Sequence, residues 1–111
     1  PLSKIIGIQD FYGRDFVVNE NVLSPRQDTE LVVEEAIKTI KKENLKSILD
    51  LCTGSGAIAI TINKETGIKT FASDISDLAL KVAVENSKIF TVISLHIMKL
   101  QHKDSLWKKL V

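Results

Sequence analysis

The run Ser47-Ile48-Leu49-Asp50-Leu51-Cys52-Thr53-Gly54-Ser55-Gly56-Ala57-Ile58-Ala59-Ile60 constrains this chain more than any other stretch. Ser47 to Leu51 is a short apolar strand, Cys52 to Gly56 a turn, and Ala57 to Lys64 an apolar helix that ends near Gly67. A strand, a tight turn and a helix in this order aim backbone N–H groups at the crevice beyond the strand's carboxyl end. Gly54 and Gly56 admit positive φ and let a ligand come close to the backbone. Asp74 closes the next expected strand, Ile68 to Ser73. An acid at that place can accept hydrogen bonds from both hydroxyls of a ribose, as in dinucleotide sites. Asp50, at the end of the first strand, has two readings: an acceptor for an ammonium group, or an anchor for the loop. The expected occupant is a nucleotide-like cofactor. The bland alternatives are a plain tight turn and an acid that merely flanks a helix. The loop lacks a Walker lysine, which argues against a triphosphate loop. A G-x-G-x-x-G nicotinamide fingerprint is broken as well, with Ile58 and Ala59 where a third glycine is wanted.

Around this run the hydrophobic period alternates. Phe11-Tyr12 and Phe16-Val17-Val18 are expected as two strands about a Gly13-Arg14-Asp15 turn, a small β-hairpin. Asp28 or Thr29 caps a helix through Leu31, Val32, Glu35, Ala36, Thr39 and Ile40, with Asn44 as its stop. Ser76 starts a third helix carrying Leu78, Leu80, Val82, Ala83 and Ile89, and Thr91 to Leu100 is a third strand. Gln101 to Val111 is ambiguous, with a short helix over Ser105 to Leu110 as one reading. The order hairpin, α, β, α, β, α, β argues for an α/β fold with a parallel sheet and right-handed crossovers. The chain divides into a hairpin entry segment, 1–25, and a cofactor-binding part, 26–111, of one partial domain.

The 111 residues amount to one small domain. With 15 basic and 14 acidic residues the net charge is +1, so nothing points to a nucleic-acid footprint or an anionic membrane patch. The late cluster Lys99, His102, Lys103, Lys108 and Lys109 reads as a solvated face. A lone cysteine excludes an intrachain disulfide and fits a reducing, cytoplasmic compartment. No apolar run approaches the roughly 20 residues of a membrane span. His96 and His102 lack metal-ligand spacing, so no metal site is expected. The opening Pro1-Leu2-Ser3-Lys4, without methionine, suggests a piece of a longer protein.

Four segments carry a family resemblance. Ile48 to Ala59 resembles motif I of the class I S-adenosylmethionine-dependent methyltransferases. Val22-Leu23-Ser24-Pro25-Arg26-Gln27-Asp28-Thr29-Glu30-Leu31-Val32 resembles the V-L-I-P-R-x-[DE]-T-E-x-L-V signature of the release-factor glutamine methyltransferases within that class. The entry segment Pro1 to Val18 and the helix Asp74-Ile75-Ser76 through Ala79-Leu80, Ala83 and Asn86 are similar to the same family. The likeness covers about residues 1 to 90. It implies a Rossmann-like fold, S-adenosyl-L-methionine as cofactor, and peptide chain release factor as partner of the parent enzyme. It also implies that Cys52, Thr53, Gly54, Ser55 and Gly56 wrap the methionine part, with Asp50 beside them, and that Asp74 holds the ribose. Cys52 stands where the family commonly has glycine; its other reading is a small buried apolar residue, not a nucleophile. Asp104 corresponds either to the family acid near the adenine or to a solvated loop acid, and Trp107 reads as packing.

The family's Asn-Pro-Pro-Tyr motif, which receives the substrate amide, does not occur among these residues. No catalytic residue is therefore assigned, and little turnover is expected from this polypeptide alone. An N6-adenine nucleic-acid methyltransferase is the second enzymatic reading. The third is a non-catalytic module that associates with itself through an exposed sheet edge.

Overall fold

The computed structural model describes residues 7–22 and 25–101. Its elements are β1 (Gly7–Phe11), β2 (Arg14–Val18), α1 (Thr29–Glu43), β3 (Ser47–Asp50), α2 (Ala57–Thr66), β4 (Lys69–Asp74), α3 (Asp77–Ile89) and β5 (Leu95–Lys99). The element order is the one the sequence pattern implies. The expectations for Asp104, Trp107 and a helix over 105–110 fall outside the described residues.

β1 and β2 form an antiparallel hairpin, with Ile8 opposite Val17. Its turn is Tyr12-Gly13, one step earlier than the expected Gly13-Arg14-Asp15. Both residues sit at positive φ, 54° and 76°, the combination a two-residue type I′ turn requires. The left-handed Tyr12 is held by its N–H, which donates to Glu30 Oε2 at 2.7 Å.

β3, β4 and β5 form a parallel sheet in that order. Asp50 lies opposite Ala72, and Asp74 opposite Lys99. The strand order advances one way, so right-handed crossovers place α2 and α3 on the same face. There they pack on β3–β4 and β4–β5 and touch each other. Ile48, Thr70 and Leu95 share a register on that face, and Thr70 is fully buried. Buried Asn63 fastens the bottom of the sheet: its Nδ2 donates to Ile68 O at 3.1 Å. Leu49 and Met98, on the other face, are exposed.

The core joins the hairpin to the helices. Phe11 and Phe16 are fully buried and meet edge to face at 6.4 Å, and Phe16 packs on Phe90 at 4.8 Å. α1 buries Val33, Ile37 and Ile40. Of the expected apolar stripe, Ile40 is buried and Ala36 packs against the core, whereas Leu31 and Val32 point outward. Three apolar residues in a row allow several helical registers, and packing against α2 selects Val33. Asn44 ends the helix in a left-handed conformation, as expected of it. Asp28 occupies the N-cap but makes no side-chain cap bond. The third strand begins at Leu95 and not Thr91, because Thr91 and Ser94 adopt positive φ (49° and 60°) and break the extended backbone.

Candidate functional site

The loop after β3 turns by means of three left-handed residues: Cys52 (φ 56°), Gly54 (56°) and Gly56 (85°). Thr53 N–H donates to Ser73 O at 2.8 Å, which ties the loop to the end of β4. Thr53 Oγ1 donates to Asp50 Oδ2 at 2.8 Å beneath it. Asp50 thus anchors the loop and does not line the cleft above it. Burial pushes the Asp50 carboxyl above its ordinary value; the Thr53 hydroxyl and the Ala59 N–H pull it back, and the charge of Asp74 adds a small upward push.

Asp74 leaves the carboxyl end of β4 and faces the loop. Its Oδ2 accepts the Gly54 N–H at 3.0 Å and its Oδ1 the Ser76 N–H at 3.0 Å. Ser76 then caps α3, its Oγ accepting the Ala79 N–H at 3.2 Å. One carboxylate therefore holds the glycine loop and the start of α3 in a fixed relation, and each oxygen keeps a second lone pair for a ligand.

Between them opens a cleft of about 380 Å³, in the lower part of the roughly 300–1,000 Å³ usual for small-molecule sites. One wall is the loop, Cys52 to Ser55, with Asp74 at its end. The opposite wall is Asn21, Val22, Pro25, Arg26 and Thr29, the segment that enters α1. The spacing of the glycine run gave no sign of this second wall. Its signals in the sequence were the Pro25-Arg26 break before a helix cap and the family signature over Val22 to Val32, neither of which was read as part of the site.

Of the expected site residues, Cys52, Thr53, Gly54, Ser55 and Asp74 line the cleft. Gly56 does not. A Cβ there would lie 3.3 Å from Ala83 Cβ and 3.2 Å from Ile60 Cδ1, so Gly56 allows close packing of the loop against α3. A Cβ on Gly54 would meet nothing within 4 Å, so the loop is open at that point. Asp104 lies outside the described residues. Cys52 is exposed, which overturns its reading as a small buried residue: the left-handed turn swings the side chain outward.

The model of the ribosomal protein L11 methyltransferase (PrmA) family matches residues 27–109. The release factor glutamine methyltransferase of Dictyoglomus turgidum is 46% identical over 89 residues, which cover 79% of this chain and 32% of that protein. Its counterpart from Borreliella burgdorferi is 42% identical over 88 residues, 79% of this chain and 31% of that one. The chain thus spans about a third of the length of these relatives. Among solved structures, the Pyrococcus abyssi tRNA (uracil-54, C5)-methyltransferase in complex with S-adenosyl-L-homocysteine superposes with a TM-score of 0.73 at 17% identity, over 91% of this chain and 25% of that one. That likeness establishes the fold, a class I methyltransferase α/β sheet.

Proposed function

The chain belongs to the ribosomal protein L11 methyltransferase (PrmA) family, and from that premise we propose that its cleft binds S-adenosylmethionine for a protein glutamine methyltransferase acting on peptide chain release factors. The observation that carries this reading is the pairing of Asp74 with the glycine loop on one wall of an open cleft. The residues present suit the cofactor. Asp74 offers two remaining lone pairs to a ribose diol, Gly54 leaves room at the loop surface, and the cleft has the volume of a nucleoside-sized ligand. The relatives named release factor glutamine methyltransferase support the substrate assignment.

When bound, the cofactor supplies an electrophilic methyl group on a sulfonium. The residues of this chain bind and orient it: Asp74 on the ribose, and Cys52 to Ser55 along the methionine portion. Asp50 acts from beneath, by holding Thr53. In-line transfer depends on alignment of nucleophile, methyl and sulfur, which lowers barriers by roughly 7–11 kcal/mol in well-oriented systems. The wall that would hold a glutamine amide, an Asn-Pro-Pro-Tyr run, is not among residues 1–111. In this reading the polypeptide binds cofactor and by itself transfers methyl groups poorly, in the cytoplasm where release factors act. No described helix is long and apolar enough to cross a membrane. The outer edge of β3 has no strand partner among the described residues, and exposed Leu49 lies on that strand; self-association through this edge is part of the proposal.

Calorimetric titration of the 111-residue chain with S-adenosylhomocysteine tests the reading. Saturable one-to-one binding supports it, and absence of binding by a folded chain overturns it. Robust transfer of labelled methyl to a release factor would overturn the division of labour between binding and turnover.

A further inference from the structure

The seat of the glycine loop on α3 contains a buried amide that links the loop to the hairpin. Asn86 is fully buried and lies three residues beyond Ala83, the residue against which Gly56 packs. Its Nδ2 donates to Ser55 O in the loop at 2.8 Å and to Val17 O in β2 at 3.0 Å. Its Oδ1 accepts the Val17 N–H at 2.8 Å. Val17 pairs with Ile8 on its other side, so the amide of Asn86 does for this edge of β2 what a neighbouring strand would do. One side chain thus satisfies both backbone groups of a hairpin residue and a carbonyl of the loop. The hairpin strands themselves do not line the cleft.

Resting on the cofactor reading above, we propose that Asn86 is a positioning residue that couples the β1–β2 hairpin to the cofactor loop, so that the placement of the hairpin sets the affinity of the cleft. The physical basis is the cost of an incomplete buried network. If the hairpin shifts, Val17 N–H and C=O lose their partner, and the amide must choose between them and Ser55. The low-energy arrangement has hairpin and loop in place together. Coupling of this kind is reciprocal: ligand in the cleft steadies the hairpin, and a steadied hairpin favours ligand.

Two measurements on the 111-residue chain test it. Amide hydrogen exchange of the wild-type chain, with and without S-adenosylhomocysteine, reads the coupling directly. Val17 is expected to exchange more slowly in the complex although it touches no part of the cleft; unchanged exchange with ligand bound overturns the proposal. The second measurement is the ligand affinity of Asn86→Asp. The variant keeps the acceptor for Val17 N–H, loses both donated bonds when ionised and at least one of them when protonated. The expected loss relative to wild type is about tenfold or more, in line with coupling within a shared buried network. Wild-type affinity in a folded Asn86→Asp chain overturns the proposal. If the variant does not fold, the exchange measurement on the wild type decides. Failure of the wild type to bind S-adenosylhomocysteine would instead refute the cofactor reading, and this inference with it.

Discussion

Replacing Asp74 by alanine tests the centre of the site, because that carboxylate holds the glycine loop in the structure and, in the proposed function, also binds the ribose, two jobs that separate in different assays. In the empty chain it accepts the N–H groups of Gly54 and Ser76, both at 3.0 Å. Hydrogen bonds to a charged group are worth about 1.5–3 kcal/mol each. Asp74 is only half-buried, so water replaces part of both contacts. A net loss of about 1.5–3 kcal/mol of stability is expected, about half of what two such bonds would sum to. For a domain of this size that corresponds to a fall of roughly 10 °C in the thermal midpoint. In the complex the same side chain is assigned to the ribose hydroxyls. Its removal is expected to weaken S-adenosylhomocysteine by about 10–150-fold, the equivalent of one further charge-assisted contact. Calorimetric titration well below the variant's melting temperature separates the two effects. Asp74→Asn keeps one acceptor oxygen and is expected to fall between wild type and alanine in stability, but near alanine in affinity. An alanine variant that binds as tightly as wild type would refute the ribose assignment, and one that melts unchanged would refute the clamp on the loop.

Other substitutions probe the loop from below and from behind. Cys52→Gly relieves a left-handed side chain, worth about 1–2 kcal/mol, against about 0.4–1 kcal/mol of added freedom in the unfolded chain; its midpoint in urea should equal or exceed that of wild type, whereas β-branched Cys52→Val should lower it. Gly56→Ala combines positive φ with a Cβ at 3.3 Å from Ala83 Cβ and should cost about 1–3 kcal/mol, clearly more than Gly54→Ala, whose Cβ meets open space. Asp50→Asn addresses pH. Burial holds the folded carboxyl above its unfolded value, so its contribution to stability is present below the unfolded value and is lost as pH rises through the folded one. The asparagine variant still accepts the Thr53 hydroxyl, and its stability relative to wild type should rise from acid to neutral pH; a constant difference in thermal midpoint would contradict the assignment.

How much of this was legible beforehand differs by residue, for physical reasons. Glycine and asparagine announced helix ends because Gly67 and Asn44 tolerate the left-handed conformation that a stop needs. Asp74 was legible because strand period and helix cap together fix the end of β4. The face of α1 was not, since Leu31, Val32 and Val33 are equivalent to any local rule and only the packing of the helix decides between them. Nor was the turn of the hairpin, because Gly13 serves at more than one turn position and the competing choice required a tyrosine at φ 54°. That choice is favourable only once Glu30, far along the chain, accepts the Tyr12 N–H.

Asn86 shows the same limit in the site itself. In a pattern of apolar positions a buried asparagine is counted as surface, and its partners Val17 and Ser55 lie far from it in sequence. The loop reads as a self-contained motif, yet Asp50 below, Asp74 in front, Ala83 behind and the Asn86 amide at Ser55 all determine its shape. A glycine turn with none of these supports would have the conformational freedom that makes glycine costly to order. With them, the loop is already bent around its cleft before any ligand arrives. The cost of ordering it is then met in folding and not in binding, so a variant that loosens these supports should lose affinity even where it leaves every residue lining the cleft unchanged.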